Sequence, residues 1–383
     1  MPTNRSLWIL FSVVAVDLIG FGIVVPILPF YAQQYGANGA ILGLLLTSYA
    51  AMQFLFSSFW GKLSDRIGRR KVILLTLIGS SFSLLLLGLA DSLLFLFVGR
   101  LLSGIFAANI SVASAYVADV TTDENRSKGM GLIGAAFGIG FLVGPALGGF
   151  LSSHSYSTPI LFASFLTVLN IIYAFFGLKE PERHQASPET VIDRTIIKTA
   201  VLADRTVLKM CLVYFVFTVS VSQLESIFAF YMKDHFFYSA RQVAVLLALM
   251  ALIMILIQGG LIRTLTRLLG EKKLLIAGTF LLTIAFFFLP RMATVSLLII
   301  PLVVASIGRA FSQPSLMSLV SKKATPQMRG AVMGTFQASA SLGRVVGPLA
   351  AGLLYDQWHS SPYYLAAGLM AIVLMMVLQM VQH

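Results

Sequence analysis

Cutting the 383-residue chain at its polar interruptions leaves twelve apolar segments: 7–31, 39–60, 72–90, 93–119, 128–151, 159–178, 207–231, 240–262, 273–290, 294–320, 330–355 and 362–382. They are near-continuous apolar runs of helical length, not the alternating pattern of a half-buried strand. A helix needs about 20 apolar residues to cross a bilayer. The pattern therefore predicts an all-α polytopic membrane protein with twelve transmembrane helices, and the continuous runs argue against a β-barrel. The first segment is too long for a signal-peptide core, and no small-residue cleavage site follows it, so it reads as a retained span.

Composition narrows the class. The chain is 58% hydrophobic and only 11% charged, against about 25% charged in an ordinary soluble domain. Too few charges are present to build a water-facing surface, which excludes soluble enzymes, nucleic-acid binders and secreted domains. The net charge of +12 is explained by its placement. With the N-terminus inside, 21 lysines and arginines fall in inner loops and three (Lys233, Arg241, Arg291) in outer ones. That bias places both termini in the cytoplasm of a cell inner (plasma) membrane protein. It also accounts for the basic balance without a nucleic-acid partner. The single cysteine, Cys211, and five scattered histidines give no metal site. The longest loop, 179–206, holds Pro181, Pro188 and mixed charges. It divides the chain into a six-helix bundle at 1–178, a cytoplasmic linker at 179–206 and a second six-helix bundle at 207–383.

The two halves repeat each other. At a constant offset of 203 residues, Arg126 matches Arg329, Gly131 matches Gly334, and Gly140 matches Gly343. Gly144-Pro145 likewise matches Gly347-Pro348, and Gly149 matches Gly352. Two parallel repeats of six spans, with substrate near the midplane, form one standard transporter plan.

Three motifs identify the plan. The loop after the second span reads Gly61-Lys-Leu-Ser-Asp65-Arg66-Ile-Gly68-Arg69-Arg70-Lys71, span 4 carries Arg100-Leu-Leu-Ser-Gly104, and span 1 reads Asp17-Leu-Ile-Gly20-Phe-Gly22-Ile-Val-Val-Pro26. With Gly131, Gly140, Gly144, Pro145, Gly148 and Gly149 of span 5, these resemble the signatures of the major facilitator superfamily. Within it they are similar to the drug:proton antiporters, in a tetracycline-resistance-like branch. The resemblance implies two pseudo-symmetric six-helix bundles, efflux of small molecules, no bound cofactor beyond the proton gradient, and no enzymatic activity. It implies a latch in which Asp65, with Arg66, Arg69, Gly61 and Gly68, faces the start of span 11 near Arg329. A helix N-terminus favours a carboxylate there. The glycines of spans 5 and 11 permit close helix approach and are expected to form a sliding contact between the halves. Tetracycline itself fits poorly, since its transporters usually carry acids in spans 3 and 9 and Val72–Ala90 and Lys273–Pro290 contain none.

Five charges lie inside spans: Asp17, Arg100, Glu225, Arg309 and Arg344. Such charges are costly and default to function. Matching depths suggests an Asp17–Arg100 pair, and Glu225 with Arg344 first or Arg309 second. A carboxylate that leaves its arginine inside a dry cavity takes up a proton more readily, which supplies a coupling step. Spans 1, 4, 7 and 10 are expected to line the cavity, with Phe21, Tyr31, Asn109, Gln223, Phe228 and Gln313 offering aromatic faces and amides to amphiphilic ligands. The expected partners are a small-molecule substrate, protons and the lipid bilayer, with the chain a monomer. The competing reading is a proton-coupled importer of a sugar or organic anion, supported by the excess of arginines over acids within the spans.

Overall fold

The computed structural model of the protein describes residues 3–107, 109–121, 123–153, 155–181, 204–323 and 328–382. The described residues are helical almost throughout and contain no strand. In chain order the helices are α1 (Thr3–Gln34), α2 (Gly39–Ile67), α3 (Arg69–Gly88), α4 (Leu93–Phe106), α5 (Asn109–Val120), α6 (Asp123–Leu151) and α7 (Ser157–Gly177). Then follow α8 (Arg205–Phe236), α9 (Ala240–Leu256), α10 (Ile262–Leu269), α11 (Glu271–Phe288), α12 (Val295–Lys323), α13 (Arg329–Gln357) and α14 (Ser361–Gln382). A π-helical turn, Ile257–Leu261, joins α9 to α10. Eleven stretches are long and apolar enough to cross a membrane, with α4–α5 and α9–α10 each counted as one. The twelfth predicted span is α13, which is 29 residues long; its serines, Gln337, Arg344 and Asp356 dilute its apolar character. Each predicted segment thus falls on a helix, although the helices run a few residues further into the flanking polar sequence.

Glycine sets two of the tight turns. Gly68 (φ +108°) and Gly270 (φ +79°) precede α3 and α11 in a backbone region that side chains rarely adopt. They sit at nearly equivalent places in the two repeats. Capping is local at the starts of α8 and α9. Asp204 Oδ1 accepts from the Thr206 and Val207 amides at the start of α8, and Ser239 with Gln242 forms a capping box at the start of α9.

The chain forms two compact units. The first comprises 1–38, 48–185 and 232–249; the second comprises 39–47, 186–231 and 250–383. In the first, α1 packs on α6 and α7, and α3 on α7 and α4. Its core includes Leu10, Val14, Trp60, Ile73, Tyr116 and Ala136. In the second, α11 packs on α12 and α14. The units exchange short segments relative to a cut at the linker. The end of α8 joins the first unit, where Lys233 Nζ donates to Gln33 Oε1 and lies 5.8 Å from the Phe30 ring centroid. The start of α2 joins the second, against α13. Large apolar side chains such as Ile78, Phe82, Leu94, Phe165 and Phe176 are exposed, as lipid-facing positions must be. Cys211 is buried and unpaired by any disulfide.

Candidate functional site

The Asp65 loop is built around one arginine. Arg69 opens α3, and its guanidinium holds Asp65 at 2.7 Å and Asp119, from the end of α5, at 2.8 Å. It also donates to Ser64 Oγ at 2.6 Å, and that hydroxyl donates to the Gly61 carbonyl at 2.7 Å. A fork of five N–H donors suits this three-way arrangement. Glu180, just beyond α7, accepts from the Arg69 and Arg70 amides at 2.6 and 3.1 Å and so caps α3. A Cβ on Gly68 would meet that same carboxylate at 2.7 Å. The Asp65 side chain remains 56% exposed, and Arg66 is exposed in the last turn of α2. Asp119 and Glu180 were not singled out in the sequence. The available signal was their position, since both acids end a span on the side of Asp65. The Arg126, Lys128 and Arg329 side chains lie outside the described residues.

The glycine stripe of α6 packs differently from the sequence expectation. A Cβ on Gly140 would stand 2.5 Å from Leu18 Cβ, one on Gly144 2.6 Å from Gly22 Cα, and one on Gly148 2.7 Å from the Ile23 carbonyl. All three therefore press α6 onto α1 within the same unit and are not a sliding contact between halves. The matched glycines of α13 do the same to α8, with Gly343 against Thr218 and Gly347 against Ser222. Gly149 is the exception, facing Arg241 and Ala244 at the start of α9, and its counterpart Gly352 faces Gly39 and Gly43 at the start of α2. Gly131 and Gly334 both face open space. The offset read from the sequence thus carries over to the contacts position by position. Pro145 lies between, its ring against Gly22.

The intramembrane charges are redistributed. Glu225 of α8 pairs with Arg309 of α12, the second of its two predicted partners. Their side chains are 44% and 28% exposed. Arg344, the first choice, donates to Ser341 Oγ at 3.1 Å and makes no ion pair among the described residues. Of the suggested Asp17–Arg100 pair, Arg100 lies against a ring and makes no ion pair among the described residues. Arg100 is 4% exposed and lies 4.1 Å from the centroid of the Tyr49 ring, and its Nε has no hydrogen-bond partner among the described residues. A cation over a desolvated aromatic face recovers part of its lost hydration. Tyr49 escaped the sequence reading because a lone tyrosine in an apolar run carries no pattern. It also meets Phe21, with centroids 5.4 Å apart, and Phe21 meets Phe141 at 6.0 Å.

Of the six predicted cavity residues, Phe21 and Gln313 are half-buried. Three are taken up by packing in this conformation. Tyr31 is 2% exposed and bonds the Ala90 carbonyl at 2.6 Å and Ser157 Oγ at 3.0 Å. Gln223 is 0% exposed and donates to the Gly347 carbonyl, and Phe228 is 1% exposed. The Oε1 of Gln223 has no hydrogen-bond partner among the described residues. The Asn109 side chain lies outside the described residues.

Comparison with known proteins places this architecture among relatives of matching length. The profile described as Major Facilitator Superfamily matches residues 10–268 and, in a second match, 210–382. The chain is 32% identical to "Multidrug resistance protein 2" of Bacillus subtilis (strain 168), over 95% of this chain and 92% of that protein. It is 29% identical to "Tetracycline resistance protein, class C" of Escherichia coli, over 98% and 96% of the two chains. Among solved structures it resembles the human organic anion transporter MFSD10 (TETRAN), with a TM-score of 0.74, 26% identity, and coverage of 98% and 100%. A bacterial homologue of the human lysosomal transporter Spinster superimposes with a TM-score of 0.82 at 15% identity, over 99% and 97% of the chains. That likeness speaks for the fold alone.

Proposed function

Since the chain belongs to the major facilitator superfamily, we propose that it is a secondary active transporter that expels amphiphilic small molecules in exchange for protons by alternating access. The drug-resistance names of its full-length relatives support efflux. The observation that carries the coupling step is the Glu225–Arg309 pair. It joins α8 to α12 inside an apolar bundle, and both side chains keep partial exposure. Protonating Glu225 removes the charge that holds Arg309, and a guanidinium left alone in an apolar bundle must find another anion or dipole. The loss of that pairing changes the relative stability of the transporter's conformations, which is what coupling requires. Asp17 on α1 is the second carboxylate available for this role. The Asp65–Arg69–Asp119 cluster serves as the cytoplasmic latch, with Asp65 its exposed carboxylate. The working unit is a monomer in the cell inner membrane, with both termini cytoplasmic and no cofactor.

Purified protein in proteoliposomes, loaded with a pH-sensitive dye and given amphiphilic test compounds, tests this reading. Wild-type protein is expected to move protons against substrate. Glu225→Gln is expected to lose gradient-driven transport while retaining exchange of labelled for unlabelled substrate, because exchange needs no net proton transfer. Full gradient-driven transport by both Glu225→Gln and Asp17→Asn overturns the coupling assignment.

A second reading rests on Arg100 and Arg344, neither of which has an acidic partner among the described residues. Together with the likeness to an organic anion transporter, they favour an anionic substrate, including the case of a proton-coupled importer of an organic anion or sugar. The direction of flux under one imposed pH gradient separates the two.

A further inference from the structure

We propose that Asp356 is a second gating residue: with the first turn of α2 it forms a latch at the opposite end of the helix from Asp65, and this latch opens once in each transport cycle. The inference rests on the alternating-access reading above. The Asp356 carboxylate takes the first two amides of α2, Gly39 N to Oδ1 at 2.7 Å and Ala40 N to Oδ2 at 2.9 Å. Asp356 lies in the last turn of α13, where its own helix presents unsatisfied carbonyls and disfavours an acid. Its placement is unfavourable for α13 and favourable only for α2. The helices meet closely around it. A Cβ on Gly43 would stand 2.5 Å from the Pro348 carbonyl, Gly352 abuts Gly39, and Thr47 Oγ1 donates to the Val345 carbonyl at 2.9 Å.

The equivalent crossing in the other repeat lacks this device. There Gly149 packs on Arg241 and Ala244 of α9, but α9 caps itself through Ser239 and Gln242. The position 203 residues before Asp356 is Ser153, whose hydroxyl turns back to the Phe150 carbonyl. Close packing therefore does not require a cap supplied by the partner helix; that cap is a separate addition at the α2–α13 crossing. It also acts where α2 changes allegiance, since residues 39–47 belong with α13 while 48–67 belong to the first unit. α2 and α13 then each carry an acid near the C-terminal end, Asp65 and Asp356. Asp356 caps the amides that begin α2, and Asp65 carries the latch role proposed for it above. Strengthening one latch favours one conformation, and strengthening the other favours its opposite.

The test places spin labels at Asn38→Cys and Gln357→Cys, both exposed positions at the crossing, and reads the interlabel distance distribution in nanodiscs. The wild type is expected to show a short and a long population. Asp356→Ala is expected to raise the long-to-short ratio about 2- to 10-fold, the scale of losing one charged cap. Asp356→Asn, which keeps an acceptor oxygen, is expected to fall between, and Gly43→Ala to shift the ratio the same way by wedging the helices apart. Asp65→Asn is expected to shift it in the opposite direction. The paired variants keep the test decisive if Asp356→Ala fails to fold. An unchanged ratio in the Asp356 variants, or a shift in the same direction as Asp65→Asn, overturns the latch while leaving alternating access intact. A single distance in the wild type with and without substrate and pH gradient overturns alternating access itself, and the latch with it.

Discussion

Arg69 satisfies three acceptors at once, and this decides what its substitution costs. Removing it leaves Asp65, Asp119 and Ser64 without their shared donor. Hydrogen bonds to charged groups contribute about 1.5–3 kcal/mol each, reduced at Asp65 by its exposure. Arg69→Ala is expected to lower the thermal midpoint of purified protein by several degrees and to slow transport about tenfold or more. Arg69→Lys is expected to recover little of either, because an ammonium keeps the charge without the planar fork. Full rescue by lysine would reduce the cluster to simple charge balance. Glu180 works on the neighbouring amides, and Glu180→Ala is expected to cost about 1 kcal/mol through loss of the α3 cap. Thermal unfolding followed by tryptophan fluorescence measures it.

At the scale of the element, the two glycine stripes give an internal control. Gly144 and Gly347 each press on a neighbouring helix, whereas Gly131 and Gly334 face open space. Gly144→Ala and Gly347→Ala are expected to destabilise the fold by about 1–3 kcal/mol through overpacking. Gly131→Ala and Gly334→Ala are expected to be neutral or slightly stabilising, since alanine is the better helix former. Equal effects across all four would mean the stripes do not set helix spacing. The spans, the repeat and its glycine register were legible because burial in lipid demands long apolar runs and close approach demands glycine. The partners were not. A run apolar on every side shows no face, so nothing in the sequence distinguished α1 from a helix of the other half as the surface that receives Gly140 and Gly144. The same blindness explains the charges. Matching depths ranked Arg344 ahead of Arg309 for Glu225, and the structure reverses that order, because counting residues from a span end says nothing of rotation about the helix axis or of tilt. Tyr49 shows the limit most plainly, because its role under Arg100 depends on a neighbour fifty-one residues away.

For the whole molecule, the skewed distribution of basic residues predicts that both ends of the chain face the cytoplasm. Reporter fusions at either end are expected to be active only in that compartment, and an active reporter on the opposite face would reverse the assignment. A consequence of a different kind follows from the cap on α2. Asp356 lies 317 residues after Gly39, and a ribosome adding about 5–20 residues per second needs roughly 15–60 s to bridge that distance. During that interval the Gly39 and Ala40 amides lack the carboxylate that caps them in the finished fold, and the glycine face at Gly39 and Gly43 lacks α13. The nascent chain is thus incomplete at its second helix until its thirteenth arrives. One of the last helices to be synthesised therefore completes one of the first, so a chain that stops short of Asp356 leaves a defect near its N-terminus.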